Sequence, residues 1–185
     1  MYRTLITSGI VLATATAALA QDRTYDHSNF TQIEVSAGVD VDVTVGNDFG
    51  VTATALRGDL ERLDIIQVGD KLMISRESRG NWGLFSLLRR DDWFQVTVTL
   101  PELTFIEATS GSSVDIADTT QALAVAFATS GSSLSIDGDV GDIRVEATSG
   151  ASLDLSGTCD AMTAEASSGA SMDADDLACA SVDLH

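Results

Sequence analysis

The sequence predicts an all-β chain, most of it wound as a β-solenoid with coils of 19 to 20 residues. Two observations carry that reading. Four phrases recur in the second half: Thr109-Ser110-Gly111, Thr129-Ser130-Gly131, Thr148-Ser149-Gly150 and Ser167-Ser168-Gly169, their glycines stepping by 20, 19 and 19 residues. A fixed step of about 20 residues is the mark of stacked one-coil repeats. Apolar and polar residues alternate on either side of each phrase and through the first half of the chain, the period of a strand with one buried face.

Residues 1–20 read as a secretory signal, with Arg3, an apolar stretch from Leu5 to Leu19 and an Ala18-Leu19-Ala20 cleavage site. The stretch is short and rich in Thr, Ala and Ser for a membrane anchor. Gln21 follows the site where a lipid-anchored form needs Cys. Residues 21–185 then suit a single domain, with no further segment able to span a bilayer.

From Phe30 to Ala55 the alternation runs Ile33, Val35, Ala37, Val39, Val41, Val43, Val45, then Val51, Ala53 and Ala55. Gly38 and Gly46-Asn47-Asp48 break it into strands. Leu60, Leu63, Ile65, Ile66 and Val68 continue it, and Gly69-Asp70 turns tightly into Leu72-Met73-Ile74 as a hairpin. Phe94 to Leu100 is a further strand, with Val96 and Val98 on one face and Pro101 ending it.

The segment from Arg76 to Trp93 stands apart. It holds both tryptophans, Trp82 and Trp93, with Phe85, Leu84, Leu87 and Leu88, and the bases Arg76, Arg79, Arg89 and Arg90. A basic, aromatic insertion on an acidic scaffold is where a partner docks, and Trp82, Phe85, Arg89, Arg90 and Trp93 are the candidate contacts. The competing reading is a cap in which Trp82, Phe85 and Leu88 cover the open end of the solenoid.

Within the repeats, Thr104/Ile106/Ala108, Ala124/Ala126/Ala128, Ile143/Val145/Ala147 and Met162/Ala164/Ala166 point inward before the turn. Val114/Ile116, Leu134/Ile136, Leu153/Leu155 and Met172/Ala174 do so after it. Gly111, Gly131, Gly150 and Gly169 fit a corner of positive φ, which a Cβ opposes. The Ser and Thr beside them can bond along the stack. Cys159 and Cys179 share a column one coil apart, within disulfide reach at a strand spacing of about 4.8 Å; the other reading is a pair of small buried hydrophobes. The last coil, starting at Ser181, leaves an edge open to self-association with a second copy.

The 28 acidic and 10 basic residues give a net charge of −18. From Pro101 onward fifteen carboxylates accompany a single base, Arg144. Such a surface repels nucleic acid and anionic lipid, and it keeps an exported chain soluble. Stacking aligns Asp115, Ser135, Asp154 and Asp173 in one outward column, and Ala117, Asp137, Ser156 and Asp175 in the next. The densest cluster, Asp137, Asp139 and Asp142, is a weak Ca²⁺ candidate, with solvated turn carboxylates as the alternative. No other cofactor is implied. The two histidines, His27 and His185, lie near opposite ends of the exported chain, so no Ser-His-Asp set or His/Cys metal site assembles. The same three aspartates as acid and base on a polysaccharide is the low-ranked enzymatic reading.

The Phe30–Val45 strands, the Leu72–Ile74 hairpin strand, the Val96–Pro101 strand and the Thr-Ser-Gly-Ser-Ser and Ser-Ser-Gly-Ala-Ser coils together resemble the head GIN domain family of secreted bacterial adhesin-like proteins. The resemblance covers roughly residues 28–184. It implies a right-handed parallel β-helix at the envelope or outside the cell, and it brings no catalytic residues. The resulting expectation is a non-enzymatic adhesion or surface-interaction module, periplasmic, envelope-associated or extracellular. Its expected partner is an envelope protein or surface glycan. An envelope scaffold or sensor binding a protein through residues 76–93 is the second reading.

Overall fold

The computed structural model describes residues 21–77, 92–119 and 122–185. The proposed signal (1–20) and four of the candidate contacts (Trp82, Phe85, Arg89, Arg90) therefore lie outside the described residues. Thirteen strands form one sheet: β1 (Gln21–Tyr25), β2 (Gln32–Val35), β3 (Asp40–Val45), β4 (Gly50–Arg57), β5 (Leu63–Val68), β6 (Lys71–Arg76), β7 (Trp93–Leu100), β8 (Phe105–Ala108), β9 (Ser113–Thr119), β10 (Val125–Ala128), β11 (Ser133–Ala147), β12 (Ser152–Ala166) and β13 (Ser171–Leu184). The only helical element among the described residues is a 3-10 turn at Leu60–Arg62.

The sheet folds over itself into two faces. The first runs β1-β4-β7-β3-β9 and continues into the leading parts of β11, β12 and β13. The second runs β5-β6-β2-β8-β10 and continues into the trailing parts of the same three strands. Each 19-residue step brings like residues level: Leu134 with Leu153, Ile143 with Met162, Ala147 with Ala166. Alternation then turns every second side chain inward, and the two faces share one core that includes Ile33, Val41, Val96, Ile106, Leu134, Val145 and Leu155. Burying each such side chain contributes roughly 1.5–3 kcal/mol. Of the residues expected inward, Ala124 is exposed, and Ala166, level with buried Ala147, is exposed as well.

The sheet is mixed, which corrects the expectation of a uniformly parallel one. The repeats pair in parallel, but β1–β4, β4–β7 and β5–β6 are antiparallel. Loop length is the reason. Gly69-Asp70 joins β5 to β6 through two residues, which only antiparallel neighbours allow. A four-residue loop likewise reverses the chain between β3 and β4, so β4 runs against β7, which is parallel to β3.

The two ends of the core differ. At the N-terminal end Phe30 and Leu60 are fully buried, and Asp59 caps the 3-10 turn by accepting from the Glu61 backbone N–H at 3.0 Å. At the other end, along β13, the inward column loosens: Leu177 and Cys179 are partly covered, while Val182 and Leu184 are 52% and 70% exposed.

Candidate functional site

Every layer turns between its two faces at one ridge of corners. In Thr129-Ser130-Gly131-Ser132 both central residues have positive φ, 56° and 72°, and the Ser132 N–H donates to the Thr129 carbonyl at 3.3 Å. That is the geometry of a type I′ turn. The turns around Gly111, Gly150 and Gly169 repeat it. The left-handed corner thus takes in the preceding serine as well as the glycine. Neighbouring corners are tied together: Gly111 N–H donates to the Ser130 carbonyl, and Gly131 N–H to that of Ser149, each at 3.2 Å. The Thr148 hydroxyl donates to that of Thr129 at 3.0 Å, and buried Ser132 donates to the Ala108 carbonyl at 2.8 Å.

A fifth corner precedes these four. Ala37 and Gly38 have φ of 61° and 70°, and the register of β2 with β8 and of β3 with β9 puts them level with Ser110 and Gly111. Ala37 is therefore a corner residue, not the inward strand residue that the alternation suggested. The strand β6 ends level with Ala37 and β7 begins level with Gly38. The two ends of the aromatic and basic segment, Arg76 and Trp93, thus stand at this ridge. The base of the segment is held by Arg62 paired with Asp92, Arg76 Nη1 donating to the Asp92 carbonyl at 3.2 Å, and the Glu77 N–H donating to the Arg62 carbonyl at 2.9 Å.

Outside the first face, side chains form two polar rows. One reads Thr24, Thr52, Thr97, Asp42, Asp115, Ser135, Asp154, Asp173; the other Asp22, Thr54, Gln95, Asp40, Ser113, Ser133, Ser152, Ser171. Trp93 stands at the edge of these rows, 51% exposed, its indole N–H donating to Asp40 Oδ2 at 2.5 Å. Gln95 donates in the same diagonal sense to Asp42 Oδ2 at 2.6 Å. Burial first, then the Asp42 and Asp40 carboxylates, raise Asp115 above the ordinary carboxylate value.

The column through Asp115, Ser135, Asp154 and Asp173 holds as expected. The next does not: bulges set Thr119 opposite Gly138 and Asp176, rather than Asp175, opposite Ser156. Asp137, Asp139 and Asp142 are all exposed on β11. Asp137 accepts from the Ser156 hydroxyl at 2.8 Å, and Asp139 from Thr158 at 2.9 Å. Among the described residues no group of three or more His, Cys, Asp or Glu is arranged to hold a metal. Cys159 and Cys179 lie level on β12 and β13, Cα atoms 4.5 Å apart, and form a disulfide. His27 stacks on Tyr25, and His185 sits 3.5 Å from Asp183. No helix among the described residues is long and apolar enough to cross a membrane.

These features define an all-β repeat protein with a corner ridge and a long polar face. The profile of the family described as "Putative auto-transporter adhesin, head GIN domain" matches residues 29–185, and the chain belongs to that family. Two solved structures from Parabacteroides distasonis share the fold at 12% identity. One is described as a "putative lipid binding protein" (TM-score 0.58, covering 90% of this chain and 78% of that one). The other is a "putative adhesin" (TM-score 0.54, covering 90% and 77%). A sequence comparison with curated proteins gives no significant match.

Proposed function

We propose that this chain is a non-enzymatic adhesion or surface-interaction module, exported to the cell envelope, with its repeats wound as a β-solenoid. The parallel register of the repeats supports the winding. The disulfide supports an oxidising compartment. The observation that carries the function is the first face: eight strands presenting two rows of hydroxyls, amides and carboxylates. At a strand spacing of about 4.8 Å such rows offer a repeating polymer, such as a surface glycan, a matching series of donors and acceptors.

A second reading is an envelope scaffold or sensor binding a protein through residues 76–93; the contacts that hold Arg76 and Asp92 at the corner ridge beside Trp93 support it. One experiment separates the readings. Residues 21–185 are immobilised and exposed to whole cells, envelope extract and purified envelope polysaccharide. Retention of intact polysaccharide supports the adhesion reading, and release of new reducing ends overturns it. Replacing 81–90 by Gly-Ser and losing retention of a protein, with melting unchanged, selects the second.

A further inference from the structure

On the outside of the second face one row reads Ile66, Met73, Glu34, Glu107, Phe127, Glu146, Glu165. Phe127 thus has a carboxylate directly opposite it on each neighbouring strand. Glu107, Phe127, Ala128, Thr129, Glu146 and Thr148 line a shallow groove of about 230 Å³.

The carboxylates of this row are matched with bases, save one. Lys71 reaches Glu34 at 3.2 Å, while Arg144 lies 3.7 Å from Glu146 and 3.6 Å from Glu165. Glu107 has no such base and no side-chain hydrogen bond among the described residues. The protein also displays the chemistry that would complete the set. The Lys71 ammonium, while bonded to Glu34, lies 5.1 Å from the centre of the Phe105 ring. Phe105 in turn packs edge-on with Phe127, centroids 5.7 Å apart. An ammonium held between a phenyl ring and a carboxylate is therefore built in next to the groove, from the chain's own lysine.

We propose that the groove at Phe127 binds a primary alkylammonium group, its nitrogen held between the Glu107 carboxylate and the phenyl ring. An anion is repelled by the two carboxylates. A neutral alkyl group would leave Glu107 without a counterion. This proposal stands on a different surface from the adhesion reading, so either fails without the other.

The test is calorimetric titration of residues 21–185 with 1,5-diaminopentane, with 1,5-pentanediol, and with a lysine-rich peptide. Saturable binding of the diamine, and none of the diol, is expected. Glu107→Gln should weaken it about fivefold or more, and Phe127→Leu about threefold, as loss of a charge-assisted bond and of a cation–π contact implies. Asp154→Asn, on the other face, removes the same charge and should leave binding within about twofold. Equal losses in Glu107→Gln and Asp154→Asn would mean general attraction to an acidic protein and overturn the site, as would diol binding equal to the diamine's. Within a positive result, tighter binding of the peptide assigns the ammonium to a protein lysine, and equal binding to a free amine. Melting curves confirm that each variant is folded, and Phe127→Leu keeps the charge unchanged, so it tests the ring separately.

Discussion

Gly157 stands directly over Gly138 in the register of β12 on β11, and neither has room for a Cβ. A methyl on Gly157 would run into the Gly138 carbonyl, and one on Gly138 into the Thr119 backbone. Both also have positive φ, 109° and 139°. The corner glycines Gly131 and Gly150 share only the positive φ, with open space where a Cβ would stand. Gly150→Ala should therefore cost only the left-handed backbone, about 1–2 kcal/mol. Gly157→Ala should add an overpacking cost of about 1–3 kcal/mol. Urea unfolding of both variants checks the order, and equal midpoints would contradict it.

Cys159 and Cys179 fasten the last layer to the one before it. β13 is also the layer whose inward column is least covered, so it has the least packing to hold it. Replacing both cysteines by alanine should cost on the order of 3 kcal/mol. Hydrogen exchange should show the loss concentrated in β13. Intact mass without reductant should fall two hydrogens short of the reduced chain.

Asp115 sets a pH dependence of definite sign. Its carboxyl is raised in the folded state by burial and by Asp42 and Asp40. The folded chain therefore binds this proton more readily than the unfolded one, and the stabilisation present in acid is lost as pH rises through the raised value. Asp115→Asn should raise the melting temperature at pH 7. The gain should fade on acidification through the raised value and below the ordinary carboxylate range, where the wild-type carboxyl is itself protonated. A gain that persists unchanged there would assign it to another cause.

Trp93 is half exposed yet anchored through its indole N–H to Asp40. Trp93→Phe removes that donor at an exposed site and should move the melting temperature by no more than about 2 °C. If the polar face and its edge recognise a partner, Trp93→Ala should reduce retention by envelope extract without lowering stability. A large drop in melting would make the residue structural.

The repeat, its four corner glycines and the level cysteines were legible because each rests on a fixed chain spacing, and stacking converts spacing directly into position. At Ser36-Ala37-Gly38 the break at Gly38 was legible, but its match to the other corners was hidden for the converse reason. It stands alone in sequence, its central residue is an alanine that fits the apolar alternation, and only the pairing of β2 with β8 reveals it. Gly138 and Gly157 carry no mark in the sequence, because their restriction comes from a neighbouring layer's backbone. The shifts before Thr119 and at Asp175 were illegible because a bulge adds one residue without changing composition. The direction of β4 depended on which strand would come to lie beside it, and that strand, β7, follows it by some forty residues. The outward phase of Phe105 and Phe127 follows from the inward Ile106, Ala126 and Ala128, but their edge-on contact depends on the pairing of β8 with β10.

Arg76 ends one strand and Trp93 begins the next at the ridge where five other layers cross with a four-residue turn. The ridge thus works as a row of interchangeable sockets, in which the strands on either side keep their register whatever is inserted between them. Peptides grafted at Ser130-Gly131 and Ser149-Gly150 would emerge along this ridge, a strand spacing from each other and in chosen order. The same frame would allow such a protein to change what it recognises by exchanging turns while leaving its core untouched.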